Sequence, residues 1–303
     1  MVKHRFFTLD VFTDVPFAGN QLAVFPDAQG MPENQLQAIA REFNLSETVF
    51  VYPPVDPANT ALVRIFTPAT ELPFAGHPTI GTAVLLASLR RVKRRGGKAQ
   101  VVLEEGVGAV PVEVGFSGSV PTWAQLTVAK LPEGGPPPPG SVELAAAISL
   151  EPADLDAAMQ PAAFSCGVPY LFVPLRDRAA LASAGLDMGA WRAALADFWA
   201  PDLFLFTRDV EQPGSNFHAR MFAPLLGVPE DPATGSAVAA FAGYLAASER
   251  LADGRHSWRV EQGFDMGRPS ILELESDVRD GIVYTVRVGG NAVIVSEGEL
   301  RLS

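Results

Sequence analysis

Apolar positions alternate at Phe7, Leu9 and Val11, the period of a half-buried strand, and Gln21-Leu22-Ala23-Val24-Phe25 reads as a second strand after the turn-forming Pro16-Phe17-Ala18-Gly19-Asn20. The two predict a hairpin or short meander. The period then changes: Leu36, Ile39, Ala40 and Phe43 fall at i, i+3, i+4 and i+7, which predicts an amphipathic helix over 32–43 with Pro32 in its first turn. Asn44-Leu45-Ser46 ends it. The β-branched and aromatic run Thr48-Val49-Phe50-Val51-Tyr52 follows at once, so Glu47 stands at a helix-to-strand junction, a place from which side chains commonly serve binding sites.

The chain also repeats itself. Arg64-Ile65-Phe66-Thr67-Pro68 recurs as Arg220-Met221-Phe222-Ala223-Pro224, and His77-Pro78-Thr79-Ile80-Gly81-Thr82-Ala83 as Asp231-Pro232-Ala233-Thr234-Gly235-Ser236-Ala237. Each copy reads as a strand ending at proline, a loop, and a helix with proline in its first turn. The helical stretches 79–89 and 233–248 hold no Asp, Glu, Lys or Arg. A helix without a polar face has to be surrounded. The pattern therefore predicts an α/β (α+β) fold of two duplicated lobes, each a curved, mostly antiparallel sheet or barrel wrapped around a central apolar helix. Stretches such as 100–103, 170–173 and 203–206 supply the wall. The composition break Gly134-Gly135-Pro136-Pro137-Pro138-Pro139-Gly140 reads as a stiff surface linker or loop between lobes. The expected lobes are 1–128 and 129–303, with the last strands, 283–288 and 292–295, free to return to the first lobe.

Composition narrows the function classes. With 48% hydrophobic and 19% charged residues, the 303-residue chain has enough apolar material for packed cores, and a net charge of −11 argues against nucleic acid as partner. Cys166 is the single cysteine, which excludes an internal disulfide and fits a reducing, cytoplasmic setting. The apolar start is cut by Asp10 and Asp14 and lacks a signal peptide's core, and the longest uncharged run, 232–248, is too short and too interrupted to span a membrane. The cationic cluster from Arg90 to Lys98 follows an apolar helix, whose C-terminal dipole it complements. Four histidines without a paired-ligand spacing give no metal site, and neither a dinucleotide fingerprint nor a Walker motif is present, so no cofactor is expected.

The candidate chemistry lies at the repeat. His77 and Asp231 occupy equivalent positions, and lobes related by duplication bring equivalent loops to one cleft. Each precedes a helix start whose N–H groups, with Gly76, Gly81 and Gly235, suit a carboxylate. Bland readings stand beside these. His77 is also a turn-capping structural histidine, Asp231 a helix N-cap, Ser236 a small interior residue and Glu47 an exposed carboxylate beside a turn. Gly235-Ser236-Ala237 is not a Gly-x-Ser-x-Gly nucleophile elbow.

Four ordered blocks resemble the PhzF family, the phenazine biosynthesis-like proteins, which share the diaminopimelate epimerase fold. They are Asp10-Val11-Phe12-Thr13 with Pro16-Phe17-Ala18-Gly19-Asn20, Leu45-Ser46-Glu47-Thr48-Val49-Phe50, Phe74-Ala75-Gly76-His77-Pro78-Thr79-Ile80-Gly81-Thr82, and Glu230-Asp231-Pro232-Ala233-Thr234-Gly235-Ser236-Ala237. Gln21 departs from the proline usual after Gly-Asn. The resemblance implies that Glu47 is the acid/base residue, with His77 and Asp231 as its catalytic partners and Ser236, Gly76 and Gly235 holding substrate. It implies a cofactor-independent isomerase acting on a small cyclic or unsaturated carboxylic acid, as a homodimer. The epimerases' pair of cysteines is missing from the motif regions, so two-thiol racemisation is excluded. The alternative is a catalytically silent small-acid binder on the same scaffold.

Overall fold

Five strand pairings in a fixed order build the first half of the chain. Val2–Val11 pairs antiparallel with Asn20–Phe25, which runs parallel to Glu47–Tyr52. That strand pairs antiparallel with Ala61–Phe66, which runs parallel to Lys98–Glu105, itself antiparallel to Gly108–Ser117. The computed structural model of the chain describes residues 2–302. Met1 and Ser303, the end residues of the expected lobes, lie outside the described residues.

The second half repeats the order. Ala162–Ser165 is antiparallel to Pro169–Pro174, then come parallel Asp202–Thr207, antiparallel Phe217–Ala223, parallel Gly254–Gln262 and antiparallel Ser270–Arg279. The same alternation of hydrogen-bonding sense in both halves is the duplication expressed in backbone.

The chain forms two units, residues 2–127 with 289–302 and Val128–Val288. The long last strand, Ile282–Leu302, leaves the second unit and pairs with Val2–Val11 in the first. The Pro-rich segment is not a connector between units. It lies inside the second, where the Gly135 N–H donates to the Ala163 carbonyl at 2.8 Å and Gly135 leaves no room for a Cβ beneath Trp199.

Each unit encloses the apolar helix that its sequence demands. In the first it is Gly76–Ser88, buried from Gly76 to Ala87. Gly81 is needed there, because a Cβ would stand 2.6 Å from Leu22 Cδ2 and 2.8 Å from Val11 Cγ2. In the second it is Gly235–Glu249, where Phe241 and Tyr244 meet Phe172, Phe204 and Phe206.

The repeated Arg-x-Phe block also has a structural reason. Arg64 forks onto Glu71 at 2.7 and 2.8 Å and lies over Phe66; Arg220 forks onto Glu230 at 2.8 Å twice and lies over Phe222. Each arginine thereby ties its strand to the short strand that follows, Glu71–Leu72 or Val228–Asp231.

Two elements differ from expectation. The helix expected over 32–43 begins as a 3-10 turn, Glu33–Gln35, and is α-helical only over Leu36–Phe43, closing at left-handed Asn44. The cationic cluster is anchored rather than merely solvated. Arg91 donates to the Pro26 carbonyl and Asp27, Arg94 lies over Phe116, and Lys98 meets Glu113.

Candidate functional site

In the first unit the parallel register sets Glu47 beside Leu22, next to Gln21, and the first turn of the central helix brings His77 to the same place. Glu47 Oε2 lies 3.0 Å from His77 Nε2, with side chains 14% and 6% exposed. His77 Nε2 is also 3.3 Å from the Gln21 carbonyl oxygen. A carbonyl only accepts, so Nε2 carries the proton and aims it at Gln21. Glu47 Oε2 is left buried and close to the imidazole, with no aligned hydrogen bond among the described residues. The bland reading of Glu47 as an exposed carboxylate therefore fails.

Behind this pair lies a second acid that the sequence did not suggest. Glu105, buried at the end of its strand, has Oε1 2.6 Å from Thr79 Oγ1 in the first helical turn. Burial pushes its carboxyl up to about 8, against the smaller opposing effect of the Thr79 contact.

In the second unit Asp231 is not the N-cap that its sequence suggests. It ends the strand Val228–Asp231, paired with Met221, and the helix starts four residues later with Thr234 in the cap position. The Asp231 backbone stays in the ladder with proline after it, but Pro78 likewise follows the helical His77, so proline alone does not set the offset. His77, by contrast, lies inside its helix. The two repeat positions thus share sequence but not backbone state.

The Asp231 carboxylate accepts from Thr234 Oγ1 at 2.5 Å. Gln262, fully buried, grips the whole turn: its Nε2 donates to the Asp231 carbonyl at 2.7 Å and to Thr234 Oγ1 at 3.0 Å, and its Oε1 accepts from the Thr234 N–H at 3.1 Å. Ser236 Oγ is 2.6 Å from the Tyr170 hydroxyl. Gly76 and Gly235 each open their helix, where backbone N–H groups have no partner in their own helix.

The structure thus brings Glu47, His77 and Gly76 together in the first unit, and Asp231, Gly235 and Ser236 together in the second. Sequence reading missed Gln21, Thr79 and Glu105 in one and Thr234, Gln262 and Tyr170 in the other. A signal existed for two of them, because Glu105-Gly106 and Gln262-Gly263 close corresponding strands. None marks Tyr170.

Two other groups are set aside by their surroundings. His218 is bracketed by Glu261 at 2.7 Å and Asp265 at 3.3 Å; burial opposes its charge, but bonds to Asp265 and Glu261 outweigh that and raise it to about 9. As an imidazolium with both nitrogens engaged it has no lone pair for a metal. Burial pushes the Cys166 thiol up to about 12, so it holds no thiolate near neutrality.

Comparison with known proteins converges on one family. The family described as phenazine biosynthesis-like protein (PhzC-PhzF) matches residues 9–298. An uncharacterised isomerase of Mesorhizobium japonicum is 41% identical, covering 99% of each chain. The trans-2,3-dihydro-3-hydroxyanthranilate isomerase of Pseudomonas chlororaphis is 34% identical over 99% of this chain and 100% of its own. Among solved structures, the PhzF-family phenazine biosynthesis protein of Bacillus anthracis superposes with a TM-score of 0.89 at 25% identity, covering 100% of both chains.

Proposed function

We propose that this chain, which belongs to the phenazine biosynthesis-like family and is an isomerase, moves a proton between two carbons of a small cyclic or unsaturated carboxylic acid without a cofactor. The observation that carries the reading is the buried Glu47 oxygen, 3.0 Å from His77 Nε2 and lacking an aligned hydrogen bond. Ionised Glu47 removes a proton from a carbon made acidic by the neighbouring unsaturation. The electron pair left behind spreads through the conjugated system, and the protonated Glu47 returns the proton to another carbon. The double bond moves, Glu47 is a carboxylate again, and no atom is gained or lost. One group serves as base and then acid, which is worth roughly 10²- to 10⁴-fold.

His77 stabilises the charge that develops on the substrate during transfer and orients its polar groups. Gly76 in the first unit and Asp231, Gly235 and Ser236 in the second are read as substrate-contacting groups, each within its own unit. The 34% identity to trans-2,3-dihydro-3-hydroxyanthranilate isomerase makes that compound the first substrate to try. We further read the protein as a cytoplasmic homodimer, with a small carboxylic acid rather than nucleic acid or membrane as its partner.

The test is turnover of a panel of cyclic and unsaturated acids headed by that compound, with products separated by chromatography, for wild type and Glu47→Gln. A double-bond isomer formed by wild type and lost in the variant supports the reading. Equal turnover by both removes Glu47 from the mechanism, and ligand-induced thermal stabilisation without any product favours the silent binder.

A further inference from the structure

The duplication reaches beyond the repeated sequence blocks, to Glu105-Gly106 and Gln262-Gly263. Each pair closes a strand that runs parallel to the arginine-bearing strand of its unit, in the registers Ala61 with Leu103 and Phe217 with Val260. Each turns its acid or amide onto the start of the central helix, Glu105 onto Thr79 and Gln262 onto Thr234. Each glycine lets the backbone press on the segment leading into that helix. A Cβ on Gly106 would meet Pro73 Cα at 2.8 Å, and one on Gly263 would meet the Pro232 carbonyl oxygen at 2.6 Å.

Gln262 is neutral and both donates and accepts in this position. An ionised Glu105 would only accept, and the proton count around Thr79 rules against that. Thr79 Oγ1 lies 2.7 Å from the Ala75 carbonyl oxygen and 2.6 Å from Glu105 Oε1. The hydroxyl has one proton, and the carbonyl can only accept. With a carboxylate present, two acceptors would compete for that single proton, while Glu105 Oε2 is buried with no hydrogen bond among the described residues. With the acid neutral, every proton has a place: Glu105 Oε1–H donates to Thr79 Oγ1, and Thr79 Oγ1–H donates to the Ala75 carbonyl. The unpartnered Oε2 is then the carbonyl oxygen of an acid, far less costly to bury than half of a carboxylate.

We propose that Glu105 is a neutral carboxylic acid at neutral pH and a positioning residue for His77. Through Thr79 and Ala75 it fixes the first turn of the helix that carries the imidazole against Glu47, as Gln262 fixes the Asp231 turn in the other unit. Burial acts in the same direction on its titration. The catalytic consequence rests on the function proposed above; the protonation and the positioning do not.

Two spectroscopic measurements test this without substrate. The infrared difference spectrum of wild type against Glu105→Gln at neutral pH is expected to show the C=O stretch of a protonated carboxylic acid in wild type alone. In histidine-labelled protein, the His77 ring signals, assigned with His77→Asn, are expected to hold their positions in Glu105→Gln and to move in Glu105→Ala and Thr79→Val. No acid band, or unmoved His77 signals in Thr79→Val, overturns the proposal. Thr79→Val removes only the hydroxyl and decides the matter should Glu105→Ala not fold. Where turnover is found, Glu105→Gln is expected within about twofold of wild type and Thr79→Val about tenfold lower in kcat with KM little changed, the size of a misplaced catalytic group. An active Glu47→Gln would end the catalytic reading while leaving the band and the ring signals to judge Glu105.

Discussion

The Glu47 carboxylate has been taken out of water without being given a full set of donors, and His77, the group best placed to supply one, spends its Nε2 proton on the Gln21 carbonyl. If His77 stabilises developing charge, His77→Phe should lower kcat by about 10²-fold, the usual cost of one electrostatic donor, in a steady-state assay with the variant still folded. Cys166 makes the opposite case. Its thiol, pushed up to about 12 by burial, holds no thiolate, so Cys166→Ala should leave turnover unchanged; a loss of activity would restore thiol chemistry as an option.

At the scale of elements, the two arginine forks are the same device in different surroundings. Arg220 and Glu230 are 10% and 17% exposed, whereas Arg64 and Glu71 are 29% and 42% exposed. Arg220 also donates to the carbonyls of Leu181 and Ala184, tying the Asp231 strand to the helix Arg178–Ser183. Removing it strands a buried carboxylate, so Arg220→Met should cost about 3–5 kcal/mol in urea denaturation. Arg64→Met should cost about 1 kcal/mol or less from its more exposed pair.

The repeat itself was legible because its blocks are local. The strand periods, the glycine-proline turns and the apolar helices all lie within short stretches of chain. Asp-Pro is a common helix start, which made a cap the bland reading of Asp231, and its pairing with Met221 shows that it belongs to a strand. Glu105 and Gln262 escaped for a different reason. Each serves a turn 26 or 28 residues away, and a glutamate and a glutamine do not look equivalent until one is seen to be neutral.

For the whole molecule, Glu105 gives folding a definite pH dependence. Its ordinary value of 4.5 is raised to about 8 by burial, with the Thr79 hydroxyl the one polar contact acting on it among the described residues. Between those values the folded chain binds a proton that the unfolded chain has lost, so this contribution is present in full below about pH 4.5 and is lost as pH rises through 8. Unfolding free energies should therefore fall with pH across that window more steeply in wild type than in Glu105→Gln, by up to about 1.4 kcal/mol per pH unit. Parallel pH profiles would mean that Glu105 does not titrate there.

The duplicated order of strand pairing gives each unit an apolar central helix whose start meets the strands of the wall. The barrel wall brings Glu47 to the turn that carries His77, and the helix interior has no charge to neutralise it. The central claim, that Glu47 carries the proton from one carbon to another, is tested most directly by hydrogen exchange in D₂O. Wild type and Glu47→Gln are incubated with the substrate found in the panel, and the position and amount of deuterium are followed by mass spectrometry and NMR. The account expects wild type to form the isomer with deuterium at the carbon that receives the proton, in part or in full according to how often Glu47 exchanges with solvent. It expects Glu47→Gln to show neither isomer nor exchange. Isomerisation or exchange by Glu47→Gln at the wild-type rate would contradict it.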